Sequence, residues 1–161
     1  EQEKIVKKII ENRNRFVGHS DNDYISEGNF AIPTNEICSS DLKELFEQCA
    51  FAVEETMVDV QKVKPVVKEK ILVESGKVDG LLFDFLDELL FFKDYKQLVF
   101  SQFEIDIQEQ EGKYNLTCIA SGEKIDFTKH DPKVDVKAIT RHLFEVIHDE
   151  RGWKAQVLID I

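Results

Sequence analysis

The final residues, Ile159-Asp160-Ile161, bring together the side-chain carboxylate of Asp160 and, where the chain ends there, the α-carboxylate of Ile161. Two hard oxygen donors at one strand tip are half of a Ca²⁺ or Mg²⁺ site, since both ions take oxygen ligands. A solvated acidic tail is the alternative use of the same groups. Toward the other end, His19-Ser20-Asp21-Asn22-Asp23 has an Asp-x-Asp spacing that also suits Ca²⁺. The glycine and the closing Glu of an EF-hand loop do not follow, so that motif is rejected. Asp21 and Asp23 are then either turn residues or ligands for a site completed by Asp160. Lys137 follows Asp135 and precedes an apolar stretch. It can hold a partner's acidic group or a metal-bound anion, or form a surface ion pair of small energetic weight.

Other chemistry is sparse. His130, in the polar run His130-Asp131-Pro132, suits a binding role and a loop-stabilising role equally. His142 and His148 would share a face if their segment is a strand, but lie too far apart for one metal. Cys38, Cys49 and Cys118 include no Cys-x-x-Cys pair, which argues against a disulfide framework or a cysteine-based zinc site. Cys49 and Cys118 fall on apolar faces and read as buried structural thiols. Reduced thiols point to a cytoplasmic or, in a eukaryote, nuclear protein. The chain has no phosphate loop, no Gly-x-Ser-x-Gly elbow and no His-Glu-x-x-His pair.

The elements that must position these residues are legible from periodicity. The 161 residues, 42% of them hydrophobic, suit one domain with one core. A net charge of -11 repels phosphate backbones and argues against autonomous nucleic-acid binding. It suits a protein that binds cations or a basic protein face. No apolar run approaches the length of a membrane span. Glu3 to Arg15 reads as a charged helix with Ile5, Ile9 and Ile10 as its stripe. Gly18 to Ser40 is broken by Gly28 and Pro33, with a short strand expected around Phe30 to Ile32. Asp41 starts a helix as its N-cap, with Glu44 placed for a capping box. Its apolar face is Leu42, Leu45, Phe46, Cys49, Ala50, Val53 and Met57.

Val66 to Glu74 alternates as a half-buried strand. Val78, Leu81, Leu82, Phe85, Leu86, Leu89 and Leu90 mark a second helix. Phe103 to Ile107 and Tyr114 to Ala120 form a hairpin turning at Gln110-Glu111-Gly112-Lys113. A polar loop spans Ser121 to Asp135. Val136 to His148 fits helix or strand. Trp153 to Ile161 alternates as a strand, and the turn Asp149 to Gly152 before it suggests a closing hairpin. The sum is an α+β domain, mostly antiparallel sheet packed with two main helices, plus an N-terminal helix.

In order and spacing, Leu45-Phe46-Glu47-Gln48-Cys49-Ala50, Leu81 through Leu90, Gly122-Glu123, Lys129-His130, Val136-Lys137-Ala138-Ile139-Thr140 and Leu158-Ile159-Asp160-Ile161 resemble the archease family. The resemblance runs from about Leu42 to the end, so residues 1–161 divide into a divergent segment, 1–40, and a family-like core, 41–161, of a single domain. It implies an α+β fold and a non-enzymatic protein that assists the GTP-dependent RNA ligase of tRNA splicing. Such proteins promote guanylylation of the ligase and its multiple turnover. It also implies a divalent cation, Ca²⁺ or Mg²⁺, held by an N-terminal aspartate, the C-terminal aspartate Asp160 and the terminal residue Ile161, with Lys137 as a functional lysine. His130 is a further candidate for partner contact.

This chain departs from the family in one place. Family members open with His-Thr-Ala-Asp-Val, whose Asp is a ligand. An ungapped comparison puts Asn29-Phe30-Ala31-Ile32-Pro33 there, with no carboxylate. An insertion brings in His19-Ser20-Asp21-Asn22 instead, and Asp21 or Asp23 would then replace the ligand. Family members also often have Tyr where this chain has Arg141.

Overall fold

The computed structural model describes residues 35–161. The expected helix over Glu3–Arg15 and the strand around Phe30–Ile32 lie outside the described residues. The element order is β1 (Asn35–Ser39), α1 (Leu42–Met57), a 3-10 turn (Val60–Lys62), β2 (Val67–Ser75), α2 (Val78–Lys96), β3 (Leu98–Gln110), β4 (Lys113–Lys124), β5 (Ala138–Asp149) and β6 (Gly152–Asp160). The strands form two three-stranded sheets, ordered β1-β6-β5 and β2-β4-β3. Every pairing is antiparallel. The fold is α+β, as the patterning predicts.

The helices join the sheets. α1 packs on β3 and also touches β1 and β6, while α2 packs on β2 and β5. Each helix therefore buries one stripe against parts of both sheets. The predicted stripe of α2 is buried from Leu81 through Leu90, with Val78 half-buried. Phe46 of α1 stacks on Phe85 of α2 with ring centroids 6.1 Å apart. Both rings are fully buried, and truncating a phenylalanine in such a place costs about 3–5 kcal/mol. Cys49 and Cys118 are buried, as their apolar faces imply, and burial pushes both thiols up, Cys118 to about 12.

Local chemistry sets the ends of these elements. Asp41 caps α1, its Oδ1 accepting from the N–H of Lys43 at 3.0 Å. The expected capping box is relayed through Ser39. The Asp41 N–H donates to Ser39 Oγ at 3.1 Å, and that hydroxyl donates to Glu44 at 2.8 Å. The β3–β4 hairpin turns through Glu111 and Gly112, with φ of 52° and 77°. Positive φ at both central positions defines the two-residue turn whose twist matches the strands. β4 runs past Ala120 to Lys124, so Ser121–Lys124 is strand where the sequence suggests loop.

β5 resolves the ambiguous segment as a strand. Thr140 pairs with Leu158 and Glu145 with Gln156, so β5 advances five residues while β6 advances two. This large bulge contains Leu143 at φ 53°. Bulges re-aim side chains, and here the bulge resets the alternation. Ile139 is buried before it, Phe144 at its end and Val146 after it are half-buried, and Leu143 and Ile147 face solvent. The helix-like spacing of Val136, Ile139, Leu143 and Ile147 comes from that phase change. It also places His142 inside the bulge, without a register partner, while His148 pairs with Trp153 and stacks on its ring at 4.3 Å. Arg141, in the bulge, lies over the Phe83 ring at 3.8 Å and 3.7 Å from Asp84.

Gly122 sits at the middle of the β2-β4-β3 sheet, paired with both Val67 and Phe100. A Cβ there would lie 1.9 Å from the Val99 carbonyl oxygen and 2.7 Å from Phe100 Cα. Backbone cannot retreat cheaply, so Gly122→Ala should destabilise by about 1–3 kcal/mol or more in a urea titration. Glu54 of α1 has no exposed surface. Burial pushes its carboxyl up to about 8, opposed by the Phe100 N–H, which donates to Oε2 at 3.1 Å, and by the Lys93 charge. The folded protein therefore keeps this proton up to about pH 8, whereas the unfolded chain releases it near the ordinary 4.5. Stability from this group is complete below that lower value and is lost as pH rises toward the upper one, by at most about 1.4 kcal/mol per pH unit. Unfolding titrations from pH 5 to 8 should show wild type losing stability relative to Glu54→Gln; parallel curves would refute a neutral Glu54.

Candidate functional site

The end of β6 lies against the start of β5. Asp160 pairs with Ala138, and the Lys137 N–H donates to the Asp160 carbonyl at 2.8 Å. Thus Lys137 and Asp160, far apart in sequence, become neighbours across two strands. Lys137 is exposed. Ile161 is half-buried and packs on the core, which anchors the end of the strand. The Asp160 Oδ1 atom is buried and has no hydrogen-bond partner. Thr140 Oγ1, on the neighbouring β5, is likewise buried and unpartnered. A buried carboxylate oxygen without a donor is costly unless something cationic or protic completes it.

An unpartnered carboxylate oxygen fits the hard-donor chemistry that Ca²⁺ or Mg²⁺ requires. Among the described residues, no group of three or more His, Cys, Asp or Glu side chains gathers at one point. Asp21 and Asp23 lie outside the described residues.

The segment leading into β5 is tied down at Lys133, Asp135, Val136 and Lys137. Lys133 donates its backbone N–H to the Met57 carbonyl at 2.8 Å, and its ammonium to Glu55 Oε1 at 2.7 Å. Lys93 of α2 donates to Asp135 Oδ1 at 2.7 Å, to the Val136 carbonyl at 2.7 Å and to Asp94 at 3.0 Å. Its side chain is 11% exposed. Burial works against the charge on Lys93, but the hydrogen bonds to Asp135 and Asp94 outweigh it and hold its pKa above the usual lysine value. Sequence reading misses Lys93. A lysine in the last turn of a helix looks like a solvated end group that complements the helix dipole.

His130 takes a different place from the docking role considered above. Its ring has no exposed surface and cannot meet a partner. Nδ1 accepts from the Asp126 N–H at 2.9 Å, so Nε2 carries the proton and donates to Glu123 Oε1 at 2.9 Å. Its carbonyl accepts from the Asp59 N–H at 2.9 Å. His130 is thus the internal brace of the loop. Glu123 is held down to about 2, first by Lys129, then by the Lys64 N–H and by His130.

The chain's sequence matches the family described as "Archease protein family (MTH1598/TM1083)" over residues 35–161. The protein archease of Pyrococcus furiosus is 43% identical over 121 residues, 74% of this chain and 85% of that protein. The protein archease of Methanothermobacter thermautotrophicus is 36% identical over 121 residues, 75% of this chain and 86% of that protein. Among solved structures, the solution structure of Methanobacterium thermoautotrophicum protein 1598 superposes with a TM-score of 0.70 at 35% identity, covering 79% of this chain and 90% of that one. The crystal structure of TM1083 from Thermotoga maritima, described as an archease and possible chaperone, shares the fold with a TM-score of 0.57 at 17% identity. It covers 89% of this chain and all of that one. The two sheets and two helices of the described residues make the α+β fold that these structures share. This chain belongs to the archease family.

The Glu123–His130 brace has a measurable weight. Glu123→Ala leaves a buried imidazole N–H without an acceptor and should cost about 1–3 kcal/mol at pH 7. Lys129→Ala removes only a partly exposed pair and should cost under about 1 kcal/mol. Because the Glu123 carboxyl is depressed, its contribution is present above the ordinary value of 4.5 and is lost as pH falls toward about 2. Urea midpoints for wild type and Glu123→Ala should therefore converge over that acid range.

Proposed function

We propose that this chain is a non-catalytic activator of a GTP-dependent RNA ligase of tRNA splicing. It promotes guanylylation and multiple turnover of that ligase through a divalent cation held at the end of β6. The observation that carries the reading is the buried, unpartnered Asp160 Oδ1 beside Lys137. Asp160 and Ile161 would hold the ion, with Asp21 or Asp23 as the further ligand. When bound, the cation screens phosphate charge and orients reacting groups. Exposed Lys137 offers its ammonium to an acidic or phosphate group of the partner complex. The net charge of -11 gives no driving force for holding RNA alone, which leaves RNA contact to the ligase.

A second reading is a metal-free binding or chaperone-like module of the same fold. It is favoured by Asn29-Phe30-Ala31-Ile32-Pro33, which has no carboxylate where the family carries its N-terminal ligand. The two readings part on cation linkage, because an ion that binds only the folded state raises the melting temperature by mass action.

Multiple-turnover ligation of a split tRNA exon pair by the cognate ligase, with and without this chain, tests the proposal. Stimulation should be strong with wild type and largely lost with Asp160→Ala. Equal stimulation by the two would remove Asp160 from the mechanism. No stimulation, together with no Ca²⁺- or Mg²⁺-dependent rise in melting temperature, would establish the second reading.

A further inference from the structure

Lys93 grips a particular peptide group. The carbonyl of Val136 and the N–H of Lys137 belong to one planar trans unit, in which they point in opposite directions. The carbonyl end accepts from the Lys93 ammonium at 2.7 Å. The N–H end donates to the Asp160 carbonyl at 2.8 Å. One rigid plane is therefore held from both sides, by α2 and by β6, immediately before the Lys137 side chain leaves the backbone. We propose that Lys93 is a positioning residue for the Asp160–Lys137 site, fixing the peptide that sets Lys137 against Asp160.

The ion pairs of Lys93 do not by themselves account for its burial. Its carboxylate partners, Asp94 and Asp135, are 63% and 76% exposed and are solvated without it. Exposed carboxylates gain little from a lysine that gives up its own hydration. The Val136 carbonyl differs, because Val136 as a whole residue, backbone included, has no exposed surface. An ammonium has three donors, and Lys93 spends them on Asp94, Asp135 and this carbonyl. The two carboxylates aim the ammonium, and the third donor takes the peptide. α2 is itself locked by the Phe46–Phe85 stack and its buried stripe, so the grip refers the site to the core. Outer groups that orient a ligand residue typically change affinity by 10–100-fold when removed.

The inference rests on the reading of Asp160 as a cation ligand, and its test separates the two. Amide exchange of the full chain without added metal gives the first readout. In Lys93→Met the Lys137 amide should exchange about tenfold faster, the equivalent of one lost hydrogen bond, while amides of the α2 core stripe keep their rates. A purely structural lysine would instead speed all of these amides together. Calcium titration by calorimetry gives the second readout. Lys93→Met should weaken Ca²⁺ by about tenfold or more, and Lys93→Arg should recover much of that loss. Asp160→Asn is the control. If Asp160→Asn abolishes Ca²⁺ binding while Lys93→Met changes neither Ca²⁺ affinity nor Lys137 exchange, the positioning role is overturned. If wild type and Asp160→Asn behave alike toward Ca²⁺, the cation reading fails, and Lys137 exchange alone decides whether Lys93 holds the peptide. Should Lys93→Met not fold, Lys93→Gln, which lacks the charge and the reach, is read in the same way.

Discussion

Two sheets that share no strand are held to one another by the buried faces of two helices. The contact at the centre of this arrangement is Phe46 of α1 on Phe85 of α2, both fully buried. The hydrophobic effect supplies the energy but has no direction. Direction comes from close packing, which fixes the helices, and the helices fix which strand lies beside which. β5 and β6 carry the candidate site, and they are placed by their packing on α2 and α1. A site built at the meeting of two strand ends inherits its precision from that core.

Polar groups inside the fold divide into the satisfied and the waiting. His130 uses both ring nitrogens and its carbonyl, and Lys133 ties the same region to α1. These contacts turn a segment without regular structure into a rigid one. From residue 130 to residue 137 the chain is bound first to Asp59 and Lys62 at the 3-10 turn, then to α1 through Lys133, to α2 through Asp135 and Val136, and to β6 through Lys137. Against that background, unpartnered atoms such as Asp160 Oδ1 are conspicuous. Among the described residues the other unpartnered buried side-chain atoms are Gln48 Oε1, Glu54 Oε1, Ser101 Oγ and Thr140 Oγ1, and of these Thr140 Oγ1 lies on the strand beside Asp160.

Legibility from sequence followed the physics of each element. α2 was plain because a helix buried along one stripe repeats its apolar residues at the helical period. The β3–β4 hairpin was plain because Glu111-Gly112 has the turn chemistry. β5 was not, because its bulge inserts residues that break the alternation and imitate a helical spacing. Ser121–Lys124 looked like loop because Gly122 has no side chain to show a pattern; its reason is the close approach of Val99. Of the candidate site, Asp160 and Lys137 were readable as residue types with suitable chemistry. His130 was readable as special, but its direction was not. Lys93 was invisible, because nothing local distinguishes a lysine that points inward from one that points out.

The sequence by itself determined the periodic elements, the acidic character, the family and the residues with chemistry to offer, since all of these are local or compositional properties. Only the tertiary structure decided that Lys137 and Asp160 meet, that His130 faces inward, that Asp160 keeps one oxygen without a donor, and that Lys93 holds the peptide before Lys137. Each of those depends on contacts between segments remote in the chain, and burial decides whether a charge meets water or protein. Periodicity records which face of an element is buried, but not what lies on the other side of the contact.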